Sequence, residues 1–222
     1  SLFVRYESKS APTLSDLQQG AGREGVVGNL RLDPHAEFDA DAVAVDGQAF
    51  DAFLEGTHEY RFARWLVTDL PLEIRDTGSA ESVGALYEAI PDIDRIVFDT
   101  TVSVADREDP RFDVVARDRK GNPLVVAMLG ESREPVQREE LAAFVTDATA
   151  VCEKRSSLVG AMSVTTAFFE PGALETAEQA TSKSLLSRDR RESFVKRSRS
   201  RGFHLCLVES REDSFYLSVP DL

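Results

Sequence analysis

The pattern of apolar and polar positions after residue 80 predicts strands and helices in alternation. Residues 124–129 (LVVAML) are apolar throughout, which is typical of a central strand covered on both faces. A turn at Lys120-Gly121-Asn122 ends the strand before it. The other predicted strands are apolar or alternating runs at residues 95–104, 112–117, 158–165, 203–209 and 214–219.

Three helices are predicted among these strands. A short one covers residues 82–90, and a third begins at Pro171 with Leu174, Ala177, Thr181 and Leu185 along it. Between them lies a long helix with Pro135 near its start. Its apolar residues recur with helical spacing, at Leu141, Phe144, Val145, Ala148, Val151 and Cys152. This order of elements predicts an α/β fold in which helices flank a mixed central sheet.

The first 80 residues have a less regular pattern. Residues 26–32 and 42–45 are strand-like, and residues 46–55 predict a short helix that ends at Gly56. A hairpin turning at Asp46-Gly47 is the alternative for that helix, and residues 58–68 fit a helix or a strand. A soft boundary near residues 76–80 divides the chain into a small α+β domain, residues 1–78, and the α/β domain, residues 79–222.

Composition excludes several classes of protein. No apolar run approaches the ~20 residues of a membrane helix, and the N-terminus has no apolar signal core. Cys152 and Cys206 are too few for a disulfide framework or a four-thiolate zinc site. We therefore expect a cytoplasmic protein without membrane contact.

Acidic residues dominate the charge. The chain has 39 acidic and 26 basic residues, a net charge of −13, and its bases are 21 Arg and 5 Lys. Isoleucine occurs only four times. This bias resembles that of proteins from extremely halophilic archaea, in which hydrated carboxylates maintain solubility in molar salt. An acidic mesophilic protein from a GC-rich genome is the alternative.

A basic segment interrupts this acidic chain. Residues 183–201 contain eight bases and two acids, which gives the segment a charge of +6 and leaves −19 for the rest. Such a segment predicts contact with a polyanion, nucleic acid first. A solvated helix face, or an intramolecular partner for the acidic surface, is the alternative. The eight bases are Lys183, Arg188, Arg190, Arg191, Lys196, Arg197, Arg199 and Arg201.

Common nucleotide-binding and hydrolase motifs do not account for the chain. Residues 20–25 (GAGREG) match GxGxxG, but a helix-like segment precedes them and a strand-like one follows, so a flexible loop is predicted. No GxxxxGK[ST] or GxSxG motif occurs. His35, His58 and His204 lack the spacing of metal ligands and are interpreted as surface or core residues.

Two stretches resemble the PD-(D/E)XK nuclease superfamily, the fold of many restriction enzymes and archaeal Holliday-junction resolvases. Residues 112–129 (FDVVARDRKGNPLVVAML) are similar to its hairpin, in which an Asp on one strand is followed by E-x-K on the next. Residues 164–175 (VTTAFFEPGALE) resemble the strand-to-helix turn of Mrr-type restriction endonucleases. The resemblance covers about residues 81–219 and implies a restriction endonuclease-like mixed sheet.

The same resemblance implies a degenerate active site. Active members bind Mg²⁺ through two carboxylates, and the Lys positions the nucleophile or stabilises charge. Asp113 occupies the first carboxylate position, but the E-x-K positions fall on Ala127 and Leu129, which are apolar. Asp113 is therefore interpreted as a residual or structural carboxylate, with Arg117 as a candidate partner. The alternative is a migrated catalytic set drawn from Glu131, Glu139, Glu140 and Lys120.

These observations favour a non-catalytic nuclease-like protein that uses no cofactor and binds DNA or a protein partner, with a homodimer left open. The first alternative is an active Mg²⁺-dependent DNA endonuclease or exonuclease with a migrated carboxylate. The second is a structural or regulatory interaction module. In that case a protein or small ligand would bind the aromatic residues of the first 80 positions, Phe50, Phe53, Tyr60, Phe62 and Trp65.

Overall fold

The computed structural model describes residues 1–36, 38–39, 42–77, 83–104, 107–181, 202–212 and 214–217. In these residues the chain forms ten strands and eight α-helices. The strands are β1 (Leu2–Tyr6), β2 (Leu30–Pro34), β3 (Ala44–Val45), β4 (Gln48–Ala49), β5 (Arg95–Thr101), β6 (Arg111–Arg117), β7 (Pro123–Gly130), β8 (Gly160–Thr165), β9 (His204–Arg211) and β10 (Ser214–Leu217). The helices are α1 (Leu14–Gln18), α2 (Arg23–Asn29), α3 (Phe50–Glu55), α4 (His58–Thr68), α5 (Leu70–Asp76), α6 (Gly84–Ala89), α7 (Arg138–Lys154) and α8 (Pro171–Thr181).

Eight strands form one mixed sheet, in the order β10-β9-β8-β7-β6-β5-β1-β2. Strands β5, β6 and β7 follow one another antiparallel. Strand β8 is parallel to β7, and β9 is parallel to β8, with α7 and α8 as the crossovers. The predicted α/β fold with a mixed sheet and flanking helices is confirmed.

Each face of the sheet carries its own apolar core. On one face, Ile96, Val114 and Ala127 of the central strands pack with Phe62 and Leu66 of α4. On the other, Val115 and Val126 pack with residues of α7 and α8, among them Leu141, Phe144, Ala148, Ala173 and Ala177. The apolar face predicted for α7 is therefore buried as expected, with Cys152 only half-buried. Burial on both sides explains why residues 124–129 carry no polar side chain.

Most predicted elements after residue 80 are present with shifted ends. The long helix begins at Arg138, three residues after Pro135, because Val136 first bridges to Phe169 in strand fashion. The residues beyond Thr181 that were assigned to the following helix, Leu185 among them, lie outside the described part of the chain. The predicted last strand is described only to Leu217.

The first 80 residues depart more from their pattern. Residues 23–29 form helix α2, so the predicted strand 26–32 is wrong in its first half, and β2 begins only at Leu30. A helix therefore begins within the GAGREG segment, although α1 and not a strand precedes it. The two interpretations of residues 46–55 are both realised: Asp46 and Gly47 have positive φ in the β3–β4 turn, and α3 follows. Residues 58–68 are helix α4.

Residues of the first 78 positions enter the sheet of the later ones. Strand β1 pairs with β5 at Leu2–Ile96 and Phe3–Arg95, and β2 pairs with β1. Helix α4 covers one face of that sheet. The division into domains 1–78 and 79–222 stays a prediction about independent folding. The boundary residues 78–82 lie outside the described ranges.

Candidate functional site

Asp113 lies where strands β6 and β7 separate. Their pairing ends at Val114–Ala127, whereas β7 continues alongside β8 as far as Gly130–Thr165. The backbone N–H of Leu129 donates to Oδ2 of Asp113 at 2.6 Å, in place of a β6 carbonyl. The carboxylate thus completes the hydrogen bonding of the central strand at the point where the ladder opens.

Ala127 and Leu129, the positions expected to carry E-x-K, belong to the same face of β7 as predicted. Ala127 is fully buried in the core beneath α4, and Leu129 packs against that core. Neither side chain can ligate a cation or stabilise a phosphate. The face next to Asp113 is therefore packed with apolar side chains.

The charges around Asp113 are mainly acidic. Its pKa is raised by burial and further by Glu59 and Asp99, against the hydrogen bond from Leu129 and the charge of Arg111. Arg111 is engaged elsewhere, because its Nε and Nη2 bind the two carboxylate oxygens of Asp99 at 2.5 and 2.6 Å. That pairing holds the pKa of Asp99 below its usual range. Asp113 thus has no dedicated cationic partner among the residues that the structure describes, and Arg117 hydrogen-bonds to Gly121 instead.

A buried histidine lies at the same end of the sheet. His58 begins α4, is 5% exposed, and its ring packs edge-on against Phe215 of β10 with centroids 5.2 Å apart. Its Nδ1 is 3.8 Å from Oε1 of Glu131, while its buried Nε2 has no hydrogen-bond partner among the described residues. Burial lowers the pKa of His58, and Glu131 opposes that shift. His58, predicted to be a surface or core residue, is a core residue.

The migrated set does not come together as one cluster. Glu131 follows β7 at the Asp113 end, and Glu139 and Glu140 lie exposed in the first turn of α7. Lys120 lies in the β6–β7 turn, beyond Arg117, so the rest of β6 separates it from Asp113 by about 13 Å or more. In the described ranges no group of three His, Cys, Asp or Glu side chains is placed to hold a metal ion. At the E-x-K positions, the apolar Ala127 and Leu129 supply neither the second carboxylate nor the Lys that the resemblance implies.

The basic residues 183–201 lie outside the described residues. The chain reaches them from the end of α8 at Thr181 and is described again from Gly202. Their contribution to a site stays a prediction.

Two of the five aromatic residues named for the first 80 positions are core residues, and Phe50 and Tyr60 are half-buried. Phe62 and Trp65 are buried, and both rings lie within 6 Å of the ring of Phe215. Phe53 is partly exposed, at 39%. An open cavity of about 800 Å³ lies beside Trp65, and among its charged residues Arg23 pairs with Asp69 while Glu73 accepts the indole N–H of Trp65. These contacts are those of a stabilising core with a polar rim.

No helix in the described ranges is long and apolar enough to span a membrane.

Comparisons with known proteins place the chain in a family without assigning an activity. The profile of the family described as "Domain of unknown function (DUF7527)" matches residues 1–222. No curated protein matches the chain.

Two solved structures show partial similarity. The protein of unknown function AF1548 is 15% identical over 51% of this chain and 48% of its own, with a TM-score of 0.32. SfsA of Pyrococcus furiosus, solved in complex with Ca²⁺, is 11% identical over 64% of this chain and 58% of its own, with a TM-score of 0.30. The chain thus spans about half the length of these structures. TM-scores of this size assign neither fold nor function.

Proposed function

The chain belongs to the DUF7527 family, and we propose that it is a nuclease-like protein that has lost metal-dependent catalysis and binds nucleic acid. One observation carries the loss of catalysis. Asp113, which the PD-(D/E)XK resemblance places at the first carboxylate position, accepts the Leu129 N–H at 2.6 Å. The face of β7 that carries the E-x-K positions is apolar.

The order of elements supports the nuclease-like part of the proposal. The hairpin β6–β7 is followed by helix α7 and by β8, which is parallel to β7. Asp113 lies on the first strand of that hairpin and the E-x-K positions lie on the second, as the PD-(D/E)XK resemblance implies. The strand that would supply the second carboxylate and the Lys contains neither.

The chemistry supports the loss of catalysis. Metal-dependent phosphodiester hydrolysis needs a cation that polarises the phosphate and activates water. Mg²⁺ dehydrates reluctantly, so a single half-buried carboxylate that already accepts a backbone hydrogen bond is a poor site for it. Loss of the Lys removes the charge that would stabilise the transition state.

The charge distribution supports binding of nucleic acid. Residues 183–201 concentrate +6 in a chain whose remainder carries −19. A basic segment in an acidic protein gives a local attraction for phosphates that the rest of the surface lacks.

The proposal is tested by two assays on the purified chain. The first is incubation of supercoiled plasmid with Mg²⁺ or Mn²⁺, for which we expect no cleavage. The second is fluorescence anisotropy of a labelled duplex at low salt, for which we expect saturable binding whose affinity falls as KCl rises. Failure to bind DNA and RNA at low salt would overturn the proposed function.

An active nuclease with a migrated carboxylate is the second candidate, and the position of Glu131 favours it. Glu131 directly follows β7 at the Asp113 end of the sheet, 3.8 Å from the imidazole of His58. Cleavage by the wild type that disappears in Asp113→Ala and in Glu131→Gln would establish this candidate in place of the first.

A further inference from the structure

Residues 42–57, which we call the arm, carry apolar side chains that the rest of the fold leaves uncovered. The arm comprises β3, β4 and α3, and none of its residues, all of which the structure describes, is buried. Phe53 is 39% and Val43 is 36% exposed, and both lie outside the two apolar cores. Leu54 packs partly against the core beneath α4. The arm is therefore attached to the fold while most of its apolar side chains still contact solvent.

The aromatic rings of this surface lie next to one another. The ring of Phe38, which is 50% exposed, packs edge-on against that of Phe50 with centroids 5.0 Å apart. Phe53 follows Phe50 three residues later in α3, so the two side chains lie on the same face of the helix. Exposed apolar side chains that lie together and are rimmed by polar ones are typical of interaction sites.

An open groove of about 520 Å³ continues this surface from α3 to the loop after β7. Phe53 lines it on the arm, and Glu59 and Glu131 line it as well. His58 also lines the groove, and its buried Nε2 has no hydrogen-bond partner among the described residues. The groove contains one further charged side chain, that of Arg61, whose Nε donates to a backbone carbonyl at 3.3 Å.

The charge of this surface is negative. Residues 33–60 contain eight Asp or Glu and no Lys or Arg. Three of those acids, Asp46, Asp51 and Glu55, lie exposed on the arm. Such a field repels the phosphates of nucleic acids and of anionic lipids. A second copy of the chain would bring the same acids face to face in a two-fold interface. The surface therefore fits a partner that is itself basic.

We infer that the arm, Phe38 and the groove together form a docking surface for a basic, amphipathic segment of a protein partner. Apolar side chains of that segment cover Phe38, Phe50 and Phe53. Its Lys or Arg side chains lie near Glu59 and Glu131 in the groove. Apolar contacts and complementary charge then act together, as in other helix-in-groove complexes. This inference goes beyond the proposed function, because the charge disfavours nucleic acid at this surface.

The test measures binding of a labelled synthetic peptide to the full chain by fluorescence anisotropy. The peptide has about 18 residues, or five helical turns, with Leu along one face and Lys along the other. A scrambled peptide of the same composition reports attraction by charge alone and should bind more weakly. We expect Phe53→Ser to bind the amphipathic peptide on the order of tenfold more weakly than the wild type.

The matched control for this variant is Phe168→Ser. Phe168 is 56% exposed and precedes α8, which packs on the face of the sheet opposite α4. This variant should bind the peptide as the wild type does. Circular dichroism of all variants checks that the substitutions leave the fold unchanged.

A second pair of variants tests the charge without changing the apolar residues. Asp51→Asn with Glu55→Gln removes two charges from α3 and should weaken peptide binding at low salt by about fivefold. Asp92→Asn with Glu153→Gln removes two exposed charges from other segments, before β5 and in α7, and should match the wild type.

Several outcomes would overturn the docking surface. These are equal binding of the two peptides by the wild type, and equal affinity of the wild type and Phe53→Ser for the amphipathic peptide. Dimerisation of the wild type, or its binding to phosphatidylserine vesicles, that is lost in Phe53→Ser would replace the basic protein partner by a second copy or a membrane. Phe53→Ser should bind duplex DNA as the wild type does, so failure of DNA binding would overturn the proposed function and leave this inference intact.

Discussion

The backbone N–H of Leu129 donates to the carboxylate of Asp113 at 2.6 Å, across the gap where β6 and β7 stop pairing. A side chain that the nuclease resemblance assigns to metal binding here completes the hydrogen bonding of a central strand. We therefore expect a structural role for this carboxylate, measurable as a change in the free energy of unfolding when it is removed.

Replacement of Asp113 by Ala should destabilise the protein by about 1–3 kcal/mol, because the half-buried N–H of Leu129 loses its acceptor. Asp113→Asn retains an acceptor oxygen and should lose less. Urea denaturation of the two variants and the wild type measures the difference in the free energy of unfolding. Equal stability of Asp113→Ala and the wild type would contradict the structural role.

Acidification should destabilise the protein through His58. Burial lowers the folded pKa of His58 below its usual 6.5, so the unfolded chain binds the proton more readily. The stability contributed by the neutral ring is fully present above pH 6.5 and is lost as the pH falls towards the lowered folded value.

His58→Phe retains the aromatic contact with Phe215 and should flatten this loss of stability between pH 7 and pH 5. Thermal unfolding across that range is the measurement. His35→Phe, at an exposed histidine, is the matched control and should retain the wild-type pH dependence. A His58→Phe profile parallel to the wild type would rule out His58 as the source.

Truncation of Phe215 should uncouple the last strand from α4. Its ring contacts those of His58, Phe62 and Trp65 at 5.2–5.7 Å, so Phe215→Ala leaves a cavity among them. The expected cost is about 3–5 kcal/mol. The next residue, Tyr216, is 52% exposed, and Tyr216→Ala should change stability by roughly 0.5 kcal/mol or less. Similar losses in both variants, measured in urea, would refute the aromatic core.

Independent folding of residues 79–222 should fail. Without residues 1–78, the Ile96–Ala127 face loses α4 and β5 loses its partner β1, which exposes apolar surface and an unpaired strand edge. A fragment comprising residues 79–222 should aggregate or lack a cooperative transition in thermal unfolding. A soluble fragment with cooperative unfolding would establish the predicted domain boundary.

Potassium chloride should raise the melting temperature. A charge of −19 outside residues 183–201 repels itself at low salt, and the Debye length falls from about 10 Å at 0.1 M to about 3 Å at 1 M. Differential scanning calorimetry from 0.1 to 2 M KCl measures the effect. A melting temperature independent of KCl would argue against a halophilic protein.

The central strands and α7 could be predicted because the spacing of apolar residues within each segment indicates which positions are buried. Residues 124–129 are apolar on both faces, and α7 repeats its buried positions every three to four residues. The strand predicted for residues 26–32 is wrong over residues 26–29, because two adjacent valines there favour a strand. In the structure these residues are helical, and the helix ends at the extended backbone of Leu30. Strand β1 gave no distinct signal, since five residues are too few to separate a strand from an irregular segment.

Some residues of the candidate site could be predicted from the sequence, and others could not. Asp113, Ala127 and Leu129 could be recognised because a hairpin places them by counting residues along two adjacent strands. The pair of His58 and Glu131 could not, because 73 positions of chain separate them and only the packing of α4 on the sheet brings them to 3.8 Å. The sequence alone also could not predict that the charges of Arg95 and Arg155 lie close to Arg117.

By itself, the sequence determined the α/β class, the buried central strand, the apolar residues at the positions where the nuclease resemblance expects E-x-K, and the isolated basic segment, all properties of residues near one another along the chain. Only the tertiary structure decided that β1 and α4 complete the sheet of the later residues, that Asp113 binds the backbone of Leu129, and that Phe53 lies outside both apolar cores. Those relationships depend on which distant segments pack together, and many local patterns are compatible with more than one such packing.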